Sequence, residues 1–122
     1  MTRKQVITYE EIEREQRDYC ASQNVQYLPA YKDSNASLAL ATQGRIPING
    51  LRHPPEGEHN GWFLWSGEEL STDPMFFSNV HTHHLMELRP EVLKFPGLPP
   101  GHRFLLDGHY LDVWFDPSLL NV

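Results

Sequence analysis

Cysteine is nearly absent. Cys20 is the only one in 122 residues, so no internal disulfide can form and nothing points to an oxidising compartment. Long apolar runs are absent as well. No stretch approaches the roughly 18 apolar residues that a membrane-spanning helix needs. No apolar segment follows Met1-Thr2-Arg3-Lys4, so a signal peptide is not indicated and the cytoplasm is the expected location. Catalytic signatures are missing too: there is no Gly-x-Ser-x-Gly, no Walker loop, no dinucleotide fingerprint and no His-Glu-x-x-His. Neither an enzymatic role nor a cofactor is expected.

Positive charge is the most unevenly withheld property. No Lys or Arg occurs between His53 and Arg89, and none follows Arg103. The first gap contains Glu56, Glu58, Glu68, Glu69, Asp73 and Glu87, enough to account for the net charge of −6; the tail adds Asp107, Asp112 and Asp116. Such a surface repels phosphate, which disfavours nucleic acid and anionic membranes and favours a cationic partner. The plainer reading of the same charge is solubility.

The remaining composition suits a folded chain. An apolar fraction of 39% and a length close to that of one ordinary domain predict a single domain over residues 1–122 with one core. Thr8 and Glu11 form a capping-box pattern, and Glu10, Glu11 and Glu13 favour a helix start, predicting a helix from about Tyr9 to Ser22. Ser37–Thr42 reads as a short strand, and an edge near Leu38–Thr42 could pair with a second copy of the chain. Pro47–Arg52 reads as a turn or edge segment, and His53–Asn60 as a loop. Gly61–Gly67, rich in aromatics and bounded by glycines, reads as a strand buried on both faces. Asp73-Pro74 has the chemistry of a helix start, and Phe77, Val80, His81, His84, Leu85 and Leu88 continue at helical spacing. Asp107-Gly108-His109 separates two strand-like segments, predicting a C-terminal hairpin over Arg103–Leu106 and Tyr110–Phe115. The predicted class is α+β: a mainly antiparallel sheet of about four strands, ending in that hairpin and packed against two or three helices.

Four groups of residues have chemistry of interest. His81, His83 and His84 are suited to metal binding, with a nearby carboxylate as a further ligand. His81 and His84 also fall on the predicted apolar face, where they would be satisfied core residues. Glu68 and Glu69 follow a strand end and read as a solvated acidic turn without an adjacent nucleophile. Cys20 lies late in a helix beside Asp18 and reads as a small packing residue. Trp62, Trp65, Tyr110, Trp114 and Phe115 read mostly as core, but Trp114 alternates with Asp112 and Asp116 on one strand face. An aromatic set between carboxylates suits a partner that bears Arg or Lys.

Several segments together resemble a known family. Pro47-Ile48-Asn49-Gly50-Leu51-Arg52-His53-Pro54-Pro55 and Gly61-Trp62-Phe63-Leu64-Trp65-Ser66-Gly67-Glu68 are similar to the immunity-protein family numbered thirty-three of bacterial polymorphic toxin systems. The pattern continues through Phe76-Phe77, His81, His84-Leu85 and Pro90. It closes with Gly97-Leu98-Pro99-Pro100-Gly101-x-Arg103-Phe104-Leu105 and Asp112-Val113-Trp114-Phe115-Asp116. The resemblance spans roughly residues 47–120, with a looser match over the first helix. It implies a cytoplasmic α+β protein that binds and neutralises a cognate toxin, and it brings no catalytic residues with it. The expected partner is a toxin with a basic surface, met by Glu56, Glu58, Glu68, Glu69 and Asp73 in one patch and by Asp112, Trp114 and Asp116 in another. The alternative is a small metal-binding domain or metal-dependent hydrolase built on His81, His83 and His84.

Overall fold

The computed structural model describes Thr8–Asn121; residues 1–7 and 122, including the Met1–Lys4 opening, lie outside it. Helix α1 spans Tyr9–Ser22, where the sequence places it. Its capping box is formed: Glu11 N–H donates to Thr8 Oγ1 (3.2 Å) and Thr8 N–H donates to Glu11 Oε1 (3.4 Å). The helix buries Gln16 and Cys20. Gln16 satisfies its amide on the Leu93 carbonyl at 3.0 Å, and burial pushes the Cys20 thiol upward, consistent with a packing role.

Strands β1 (Asn35–Leu38), β2 (Ile48–Arg52), β3 (His59–Ser66), β4 (Ser78–His81), β5 (His102–Asp107) and β6 (Tyr110–Phe115) form one sheet in the order β4-β1-β3-β2-β5-β6. Two more strands are present than the four expected. The sheet is mixed, because β1 runs parallel to β3 while every other pair is antiparallel. The C-terminal hairpin is as the Asp-Gly signal predicts, with Gly108 at φ 59° in its turn.

Three sequence expectations are overturned. Pro47–Arg52 is neither a turn nor an edge: β2 lies inside the sheet, flanked by β3 and β5. Pro47 stands just before the strand, where its missing N–H removes no ladder bond. Gly50, which weakens a strand signal, is there because the Phe104 ring fills the space a Cβ would need. The edge expected near Leu38–Thr42 is also internal. Strand β1 ends at Leu38, and Leu40–Thr42 turn into a 3₁₀ helix in which Thr42 Oγ1 donates to the Ala39 carbonyl at 2.7 Å. The exposed edges are β4 and β6. Finally, the helix expected from Asp73-Pro74 makes only a turn, with Met75 N–H donating to Asp73 Oδ1 at 2.9 Å. The chain then extends as β4, and helix α2 spans Thr82–Leu88. Ser78, Asn79 and Val80 are weak helix formers, and pairing with β1 supplies the bonds a helix would have made.

The two sheet faces are unequal. Leu38, Ile48, Trp62, Leu64 and Phe104 meet Cys20, Leu85, Val92, Phe95 and Leu98 in the main core, under both helices. Trp62 and Phe104 lie there with centroids 5.8 Å apart, and Phe95 stacks on Phe104 at 4.3 Å.

At the end of β2 the main core contains a charge. Arg52 is 1% exposed, and among the described residues no carboxylate pairs with it. Its guanidinium donates instead to backbone carbonyls: Asn60 (2.9 Å), Leu28 (2.7 Å), Leu98 (2.8 Å), Pro96 (3.2 Å) and Pro29 (3.5 Å). The Trp62 ring lies 5.8 Å beneath it, with the indole N–H also on the Pro96 carbonyl. Burial brings its pKa down to about 10, so it stays charged at neutral pH.

Arg52→Met would keep the bulk of the side chain but strip donors from several buried carbonyls. A loss of about 4 kcal/mol or more in folding stability is expected, a large part of an ordinary domain's total, and a urea unfolding midpoint measures it. A shift of under about 1 kcal/mol would show that the guanidinium is not a structural tie.

Candidate functional site

The second face of the sheet is only partly covered. Pairing registers align its side chains in two rows across the strands. One row runs Asn79, Ser37, Phe63, Leu51, Arg103, Trp114, from β4 to β6; the other runs Trp65, Asn49, Leu105, Asp112, from β3 to β6. At the β3 side the rows are roofed by Phe77, whose ring meets Phe63 at 5.3 Å and Trp65 at 6.4 Å edge-on. Leu119, in the 3₁₀ turn Pro117–Leu120, joins Leu51 and Trp65 in this smaller cluster. Beside it lies a groove of about 300 Å³ lined by Leu51, His53, Phe63, Trp65, Leu70 and Phe77. Toward β6 the roof stops. Asp112 and Trp114 are exposed, Arg103 and Leu105 half-buried.

Around Trp114 the expected acidic surface is modified by a cation. The Arg103 guanidinium lies 5.4 Å from the Trp114 ring centroid and donates to Asp116 Oδ2 at 3.3 Å. Asp116 is further engaged as the cap of the Pro117–Leu120 turn, accepting from Ser118 Oγ (2.6 Å) and Ser118 N–H (3.1 Å). The Ser118 hydrogen bond, then Arg103, hold its carboxyl below the usual carboxylate range against the opposing effect of desolvation. Asp116 therefore serves its own chain, whereas Asp112 and Asp107 are exposed on this face and make no ion pair among the described residues. Trp114 is 37% exposed.

The five-carboxylate patch is split by the fold. Glu56 and Glu58 lie in the β2–β3 connection, whereas Glu68, Glu69 and Asp73 follow the other end of β3. Eight residues of strand separate the ends by roughly 25 Å. Glu68, Glu69 and Asp73 are exposed on the loop whose Leu70, Ser71 and Thr72 line the groove, so they form its rim. Arg103, Leu105 and Asn49 belong to the same face without having been singled out from the sequence. Their signal was strand alternation, once β2 is known to be a central strand.

The histidines are not in the core. His81 ends β4 and His84 lies in the first turn of α2, both exposed, with His83 half-buried between them. The expectation of satisfied core histidines fails: α2 buries Thr82, Leu85 and Met86 instead, and His81 stands at the end of the edge strand β4.

A family model for the Imm33-like domain matches residues 15–116. The chain belongs to the Imm33-like family. The match takes in all six strands, both rows of the open face and most of α1. No curated protein and no solved structure matches the chain. Among the described residues of this Imm33-like chain, no helix is long and apolar enough to cross a membrane.

His59, the first residue of β3, gives the fold a dependence on pH. Gly61 N–H donates to His59 Nδ1 at 2.9 Å, so the ring proton sits on Nε2 and faces Ser37 Oγ at 2.9 Å. Burial first, then His53, lower the pKa from 6.5, against a smaller opposing effect of Glu56. The unfolded chain thus binds the proton more readily, and stability rises with pH across this window. The contribution is complete above the unfolded value of 6.5 and is lost as pH falls from there toward the folded value. The urea midpoint is expected to drop between about pH 7.5 and pH 5, with a shallower drop in His59→Gln. Equal slopes in the two proteins would show that this imidazole does not set the dependence.

Proposed function

We propose that this chain is a cytoplasmic immunity protein that binds a cognate bacterial toxin of basic surface and neutralises it by occlusion, without catalysis. The Imm33-like match over residues 15–116 is the observation that carries this reading. The open sheet face supports it. An exposed Trp beside a free carboxylate is the kind of anchor on which binding energy concentrates, and the half-buried Leu105 continues it as an apolar strip. The absence of Lys and Arg from His53 to Arg89 leaves Glu68, Glu69 and Asp73 unopposed along the sequence, which suits steering of a cationic partner and disfavours nucleic acid and anionic lipid. Trp114 and Asp112 are the proposed anchor, Glu68, Glu69 and Asp73 the steering rim, and Asp116 the residue that holds Arg103 against Trp114. Glu56 and Glu58, at the far end of β3, form a second and separate acidic contact. The exposed β6 edge adds a row of unpaired backbone groups to the same surface.

The test is capture from the native cell with this chain as bait, followed by toxicity of the captured protein expressed with and without it. A basic protein that arrests growth alone and is silenced by co-expression is the expected result; a captured protein that is harmless alone contradicts the role. With that toxin in hand, Trp114→Ala is expected to weaken binding by about 2 kcal/mol, roughly thirtyfold in Kd. Glu68→Lys with Glu69→Lys is expected to slow association and reduce its salt dependence, with the dissociation rate little changed. Unaltered association in that double variant would remove the steering role from the rim.

A further inference from the structure

Three histidine rings cluster where β4 passes into α2. His83 and His84 have centroids 4.5 Å apart, and His81 stacks on His83 at 5.5 Å. One helical turn on, Glu87 falls at i+4 from His83 and i+3 from His84, the two spacings that share a helix face. Ligand atoms of His83, His84 and Glu87 all lie within 4.8 Å of one another, and His84 Nε2 is 3.9 Å from Glu87 Oε1. That spacing is what one ion bonded to three donors at about 2.0–2.2 Å would draw together.

The helix that presents these groups is held firmly. Thr82, fully buried, donates from its N–H and from Oγ1 to the Ser34 carbonyl, both at 2.9 Å, and accepts from Asn60 Nδ2 at 2.8 Å. His83 N–H donates to the Lys32 carbonyl at 3.2 Å. Leu85 and Met86 bury the opposite side of the helix. The donors thus project from a fixed backbone, with His84 and Glu87 side chains 57% and 72% exposed and open to solvent. A hollow of about 380 Å³ beside them is lined by His83, Glu87, Asp33 and Lys32, among others. A surface ion pair alone would account for His84 and Glu87, but not for a second imidazole converging on the same point.

We propose that His83, His84 and Glu87 form a binding site for one divalent first-row transition-metal ion of the zinc type. Two imidazoles and a carboxylate are the donor set that borderline ions of this class favour, and three protein ligands leave a position for water. His81, whose ring sits against His83 without joining the converging donors, is a neighbour and not a ligand. The site lies on α2, and it is independent of the toxin-binding reading.

The experiment is calorimetric titration of the untagged, chelator-treated chain with Zn2+ alone, at neutral pH. One ion per chain is expected, with Glu87→Gln and His84→Ala each weakening binding at least about tenfold and His81→Ala changing it little. Both substituted side chains are exposed, so circular dichroism should show an unchanged fold. Should His84→Ala disturb the helix, Glu87→Gln alone decides. No binding, or one-to-one binding that survives Glu87→Gln and His84→Ala, would overturn the proposal; the second outcome would move the ion to another pair such as His53 and His59.

Discussion

A guanidinium with no carboxylate partner among the described residues sits where three stretches of backbone meet. Arg52 reaches the Leu28–Pro29 segment, the Pro96–Leu98 segment and the first turn of β3 through carbonyl oxygens alone. The first two of these stretches contain prolines and belong to no strand or helix, so they have few ladder bonds of their own to hold them. A buried cation surrounded by carbonyl dipoles is tolerable only when its donors are used, and that requirement fixes where each stretch can run. The connection after α1 and the one before β5 are thereby held against the same end of the sheet. Gly61 completes the arrangement: at φ 96° it accepts His53 N–H at 2.8 Å, and a side chain there would collide with the His53 carbonyl.

With both helices and the proline-rich connections committed to one face, the other face is covered, among the described residues, by the 67–77 loop, the Pro117–Leu120 turn and Ala39. These coverings bury Leu51 and Trp65 and leave the β5–β6 side open. The function proposed for this Imm33-like chain therefore follows from an imbalance in the fold. A sheet with more area than its helices can cover must present a face to solvent or to a partner. The chain makes that face soluble with Asp112, Asn49 and Arg103, and it keeps Trp114 in place by stacking it under its own cation.

Local signals in the sequence were legible and long-range ones were not. The capping box at Thr8 and Glu11 and the Asp-Gly turn are short-range chemistry, and α1 and the β5–β6 hairpin form as they indicate. Asp73-Pro74 is short-range chemistry too, and it does make its turn. What it could not reveal is that Phe77 leaves the turn to roof Phe63 and Trp65. Strand β2 was hidden because Pro47, Asn49 and Gly50 are poor strand residues. It exists because Phe104 needs the space above Gly50, and because Asn49 Nδ2 closes on the Gly67 carbonyl at 2.8 Å. For the candidate site, the alternation of Asp112, Trp114 and Asp116 was visible. Arg103, which sits opposite Trp114 only through hairpin register, decides which of them is free. Glu87 likewise is a partner of His83 and His84 through the side-chain geometry of α2, whereas His81 falls outside the helix because it starts at Thr82.

The central claim is that the open sheet face at β5 and β6 is where a toxin binds. Hydrogen–deuterium exchange of the chain, alone and bound to its captured toxin, tests it most directly. Slowed exchange over residues 103–116 and the 67–77 loop, with α1 and the 28–34 segment unchanged, is the expected result. Protection confined to α1 or the 28–34 segment, with β6 exchanging as it does in the free chain, would contradict it.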